Sequence, residues 1–241
     1  MAISSNISAR LKKYKPGSIF GYKDLKLNNS EFSAAAKTIE RLKKKGIIKS
    51  LSPGVFYKPV KSVFGELRPS EDEILKSYLF KNGKREGYIT GLSLFNSMML
   101  TTQIPRIIKI AYFNKRVSFD TGSLKIESAK SYVNITDDNY NLLQLLDVLK
   151  DFNKIPDLDR ESAVNIITSK IKMLSERERK ELVEYSFNYP PRTRAFLGSI
   201  LENTGMISET GKLKLSINPL SEFKVSLNEK ILPTVKNWNI K

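Results

Sequence analysis

Apolar residues recur at four-residue spacing from the start of the chain, at Ile3, Ile7 and Leu11, and predict a helix over residues 3–14. Pro16-Gly17 ends it, and Ile19-Phe20 is short enough to be a fragment of strand. Tyr22 to Leu27 fits a short second helix. Asn28-Asn29-Ser30 makes a turn, with Ser30 placed to cap a third helix. From Glu31 to Lys45 an apolar stripe runs through Phe32, Ala35, Ile39 and Leu42, and Gly46 stands where a left-handed residue closes a helix. Ile47–Leu51 and Val55–Lys58 flank Ser52-Pro53-Gly54, so these runs predict a hairpin.

Beyond Pro59 the pattern changes. Residues 59–68 read as a linker, and Ser70-Glu71-Asp72-Glu73 is a capping box that opens a new helix through Ile74, Leu75, Tyr78 and Leu79. Tyr88–Leu100 reads as a short buried helix. Arg106–Phe113 is β-rich, with Val117–Phe119 and Leu124–Ile126 as candidate partners. From Asp138 onward the spacing is helical. One stripe is Leu142, Leu145, Leu146 and Leu149; a second is Ala163, Ile166, Ile167, Ile171 and Leu174. Leu182–Phe187 and Arg194–Leu201 predict two more helices, separated by Pro190-Pro191. The tail from Leu213 to Lys241 reads as mostly extended, with Trp238 near its end. The expected fold is α+β and mainly helical. A winged helix-turn-helix occupies residues 1–62, and a mixed domain with a small β-sheet and several helices occupies 63–241.

Charge sharpens this division. The chain carries +16, and residues 1–62 hold 14 Lys and Arg against Asp24, Glu31 and Glu40, which is +11 of that total. A concentrated basic block attached to a less basic partner is the electrostatic footprint of a nucleic-acid module. Histidine and cysteine are both absent. That excludes imidazole bases, thiol nucleophiles, Ser-His-Asp triads, disulfides and ordinary zinc sites. A carboxylate-bound magnesium site remains possible. The acidic pairs Asp137/Asp138, Asp147/Asp151 and Asp157/Asp159 have no supporting bases. Asp137 and Asp138 read as helix N-caps, Asp147 and Asp151 as charges on an exposed helix face, and Asp157 and Asp159 as surface charges. Arg192 and Arg194 beside Pro190-Pro191 are a weak phosphate-binding candidate. The GxxxxGK[ST] phosphate loop is absent. No apolar run approaches a membrane span and the first residues lack a signal-peptide core, so a cytoplasmic protein is expected, without cofactor, metal or enzymatic activity.

On the third helix, Ser33, Ala34, Lys37, Arg41 and Lys44 lie away from the core stripe. Small residues near a helix N-terminus permit close approach to base edges, and cations further along suit phosphates. Ser30, Lys45 and the hairpin lysines Lys49 and Lys58 complete the expected double-stranded DNA contacts. The bland alternative is a small helical domain with a solvated lysine face.

Several runs together resemble a known family. They are Ile39–Ile48, Ser52–Tyr57, Phe64-Gly65-Glu66-Leu67, Tyr88-Ile89-Thr90-Gly91-Leu92-Ser93-Leu94-Phe95-Asn96 and Leu100-Thr101-Thr102-Gln103-Ile104-Pro105. The chain looks like the AbiEi-like antitoxins of type IV toxin-antitoxin and abortive-infection systems. The resemblance implies an N-terminal domain that represses its own operon. It also implies a C-terminal domain that counters a nucleotidyltransferase-like toxin without needing a stable complex with it. Two other classes compete. One is a plain winged-helix transcription factor with a ligand-sensing or dimerisation domain. The other is a nucleic-acid enzyme, disfavoured by the missing histidine and cysteine.

Overall fold

The computed structural model describes residues 3–25, 27–63, 65–81 and 83–241. Lys26 and Phe64, which belong to the expected second helix and to one of the resembling runs, lie outside them. The chain is a mixed α+β protein that divides into two compact units, residues 1–78 with 119–124, and residues 79–118 with 125–241. The first unit thus runs past the border at 62 expected from the sequence.

In the first unit, α1 (Ile3–Lys13) is followed by β1 (Ile19–Gly21), and the second expected helix is a short 3-10 turn, Tyr22–Leu25. A second 3-10 turn, Asn29–Glu31, leads into α2 (Phe32–Lys44). A hairpin of β2 (Lys49–Ser52) and β3 (Val55–Tyr57) then joins β1 in an antiparallel sheet of order β1-β3-β2. Ile7, Leu11, Phe20, Leu25, Ala35, Ile39, Leu42, Ile48 and Phe56 form its core. Residues 59–68 are more than a linker: β4 (Val60–Ser62) and β5 (Gly65–Leu67) pair antiparallel. Ser70 then caps α3 (Glu71–Leu79), its backbone N–H donating to Glu73 at 2.8 Å and its hydroxyl accepting from the Glu73 N–H at 3.2 Å.

The second unit opens with the small hairpin of β6 (Phe80–Lys81) and β7 (Lys84–Arg85). The segment 88–100, expected as one helix, is instead β8 (Gly87–Thr90) followed by α4 (Leu92–Ser97). The reason lies in two glycines. Gly87 sits so close to the neighbouring strand that a Cβ would meet Ile110 at 2.7 Å, and Gly91 takes φ +66°, which stops a strand or helix from running through. β9 (Ile108–Tyr112) lies antiparallel to β8 and parallel to β11 (Lys125–Lys130), so only the second of the two candidate partner runs pairs with it. β10 (Ser118–Asp120) leads into the 119–124 loop of the first unit.

Four long helices follow: α5 (Tyr140–Asp151), α6 (Arg160–Lys172), α7 (Glu176–Ser186) and α8 (Pro191–Asn203). Asp159 caps α6, Ser175 and Glu178 form a capping box on α7, and Pro191 occupies the first turn of α8. Leu142, Leu143, Leu145, Leu146, Val148 and Leu149 are all buried, so α5 is enclosed on nearly every side rather than along one stripe. The tail is not extended. It holds α9 (Thr210–Leu215) and a 3-10 turn, Val235–Trp238, and otherwise runs irregularly over the helices. Trp238 is fully buried on Gly198, where a Cβ would stand 2.2 Å from the indole, and its Nε1 donates to Glu202 at 2.7 Å. No helix among the described residues is long and apolar enough to cross a membrane.

Candidate nucleic-acid interface

α2 is fixed at both ends. At its start the Asn28 N–H donates to the Glu31 carboxylate at 2.9 Å, so Asn28 rather than Ser30 caps the entry, and Ser30 lies exposed inside the turn. At its end the Gly46 N–H bonds Lys43 O at 2.9 Å and the Ile47 N–H bonds Leu42 O at 3.0 Å, with Gly46 at φ +68°. These two bonds close a Schellman motif. Ala35, Thr38, Ile39 and Leu42 face the core. Ser33, Lys37, Arg41, Lys44 and Lys45 are exposed, and Ala34 is half-buried. The structure therefore brings the helix residues of the candidate set onto one accessible side. Arg41, Lys43 and Lys44 also sit in the last turn, where cations oppose the negative end of the helix dipole.

Two residues here escaped the sequence reading. Phe32, assigned to the core stripe, is 52% exposed and rests its ring on Tyr22 at 4.8 Å between centroids. It is the first residue of the helix, and the stripe reaches the core only one turn later. Glu40 stands among Ser33, Lys37 and Lys44 on the exposed side and pairs with Lys43 at 2.9 Å. Its spacing of three and four from those lysines was legible in the sequence.

The hairpin lysines also have partners within the unit. Lys49 pairs with Glu66 at 2.6 Å, and this hydrogen-bonded partner raises the lysine pKa and lowers that of Glu66. Lys58 donates its ammonium to Tyr14 O at 2.9 Å, and its backbone bonds Gly17 and Ser18, so it fastens β3 to the end of α1. The turn between β2 and β3 offers serines and backbone rather than cations.

The second unit holds a buried polar cluster. Asp147 is 1% exposed, not on a solvated face. Tyr88 and Thr90 donate their hydroxyls to its Oδ2 at 3.0 and 2.7 Å, and Lys150 donates to its Oδ1 at 2.8 Å. Burial, then the Asp147 charge, drive the phenols of Tyr88 and Tyr189 well above their ordinary range. Burial alone would depress the Lys150 ammonium, but Asp147 outweighs it and leaves it raised. Asp137 pairs with Arg85 at 3.0 Å rather than capping α5, whose cap is Asn139. Arg192 donates to Lys150 O at 2.8 Å, so its guanidinium ties α8 to α5. A cleft of about 620 Å³ is lined by Asn96, Thr101, Asp157 and Ser162, among others. Among the described residues no group of three or more acidic side chains is placed to hold a metal ion.

These features define an α+β protein of two units, the first small and basic, with an accessible cationic helix beside a hairpin. Residues 6–182 match a family of unknown function (DUF6088), and the chain belongs to that family. No curated protein matches it. It is similar in fold to the crystal structure of the RV2827C protein from Mycobacterium tuberculosis, with a TM-score of 0.50 and 11% identity, over 100% of this chain and 91% of that one.

Proposed function

We propose that this protein is a cytoplasmic antitoxin that represses its own operon. Its first unit acts as a winged helix-turn-helix with α2 in the major groove, and its second unit opposes a nucleotidyltransferase-like toxin without catalysing a reaction. The observation that carries the DNA half is the accessible side of α2, where Ser33, Lys37, Arg41, Lys44 and Lys45 stand clear of the core on a helix locked at both ends. Such a helix offers small residues to base edges and cations to phosphates. The antitoxin half rests on the resemblance of residues 88–96 and 100–105 to the AbiEi-like proteins. A gel shift on the upstream region of its own gene tests the first half. The Lys37→Ala or Arg41→Ala protein loses about 1–3 kcal/mol if the side chain reads a base, and log affinity falls linearly with log salt. Unchanged affinity in the folded double variant refutes the assignment. Growth of a strain expressing the adjacent toxin gene, with and without this protein, tests the second half, and arrest despite abundant protein refutes it.

The alternative reading is a winged-helix transcription factor whose second unit senses a ligand or dimerises. That protein gives the gel shift but no rescue.

A further inference from the structure

We infer that Phe32 is a sequence-reading residue, packing its ring against the C5-methyl group of a thymine in the major groove. The inference deepens the DNA-binding reading and rests on it. Scattered exposed apolar residues need no explanation, but this one differs in three respects. It is the first residue of α2, the position from which a docked helix approaches base edges. Its ring is braced: Tyr22 packs against it at 4.8 Å and is itself set edge-on to the buried Phe56 at 5.4 Å, so the exposed half of the ring is a fixed apolar surface. Its neighbours on α2 are small. Ser33 is exposed and Ala34 and Ala36 are half-buried, while the Glu31 carboxylate just before it is engaged by the Asn28 N–H at 2.9 Å, so the ring stays open to a groove. Of the groups that base pairs present in the major groove, the thymine methyl is the apolar one, and phenylalanine is among the side chains that contact it.

The test uses the full-length protein and a duplex that it selects from a random-sequence library. Each thymine of that duplex is replaced in turn by deoxyuridine, which removes the methyl and nothing else. The expected result is a loss of about tenfold in affinity at one thymine per bound protein. Phe32→Ala binds the unmodified duplex about tenfold more weakly and becomes indifferent to deoxyuridine there. Phe32→Leu, which keeps an apolar side chain, retains part of the sensitivity and guards against a folding defect in the alanine protein. Wild-type protein that selects a sequence but tolerates deoxyuridine everywhere overturns this inference and leaves DNA binding standing. So does a Phe32→Ala protein that remains sensitive, or one whose weaker binding tracks a lower sedimentation mass, which would make Phe32 a self-association residue. Wild-type protein that selects no sequence overturns the DNA-binding reading and this inference together.

Discussion

Replacing Asp147 with asparagine isolates the buried charge of the second unit without changing its shape. The carboxylate accepts two hydroxyls on one oxygen and an ammonium on the other. An asparagine has one accepting oxygen and one donating nitrogen. With its oxygen toward Lys150 the amide nitrogen meets Tyr88 and Thr90, whose hydroxyls must turn; with its oxygen toward them it points a donor at a cation. Removing one member of a buried ion pair costs about 3–5 kcal/mol. Lys150 keeps Asp151 at 3.4 Å and is 17% exposed, so the lower end, about 3 kcal/mol, is expected. In a protein of this size that lowers the melting temperature by roughly 6–12 °C. Urea unfolding of Asp147→Asn, Lys150→Met and the double variant measures the coupling. The two losses are expected to fall short of additivity by at least about 1 kcal/mol. A loss below about 1 kcal/mol for Asp147→Asn, or strict additivity, refutes the reasoning that the Asp147 and Lys150 charges stabilise each other.

Gly198→Ala is expected to cost about 3 kcal/mol or somewhat more, because its Cβ would overlap three carbons of the Trp238 ring at 2.2–2.6 Å. Adding Trp238→Leu recovers part of the loss, and an unchanged unfolding midpoint for Gly198→Ala contradicts the packing. Tyr88, Tyr189 and Lys150 hold their protons more tightly folded than unfolded. Their contribution is therefore whole below about pH 10 and is lost above it, by up to about 1.4 kcal/mol per pH unit for each group. Stability measured from pH 7 to 11 should be level and then fall, and a rise above pH 10 contradicts the sign. Lys58→Ala is expected to lower thermal stability by about 1–2 kcal/mol through the lost Tyr14 contact. It should leave the DNA affinity of the folded protein within twofold; a selective loss of affinity restores Lys58 to the interface.

Local signals carried well where one residue type has one strong reason for its place. The Ser70 capping box, Gly46 closing α2 and the Ser52-Pro53-Gly54 hairpin all emerge from a few neighbouring residues. Features that depend on distant partners did not. Asp147 looks like a surface acid because its position on α5 says nothing of β8 folding across it, and the two hydroxyls that receive it lie 57 and 59 residues away. Tyr88–Thr90 reads as helix because a buried strand and a buried helix share the same apolar run, and only Gly87 and Gly91 in their packed context decide. Within the candidate interface the side of α2 was legible from its period. The intramolecular partners of Lys49 and Lys58 were not, since Glu66 and Tyr14 are close only after folding.

The indole of Trp238 closes over α8 only after a further 35 residues beyond Asn203 have been made, and that sets an order of events on the ribosome. The first unit is complete in sequence once Leu124 has emerged, while the second waits through the next 114 residues for its closing side chain. At about 5–20 residues per second this delay is roughly 6–23 s. Until then the Gly198 face of α8 lacks its cover. A nascent chain released before Trp238 should therefore be degraded quickly even when its first unit is folded, and pulse-chase turnover of chains stopped at 230 against those stopped at 241 would measure the difference.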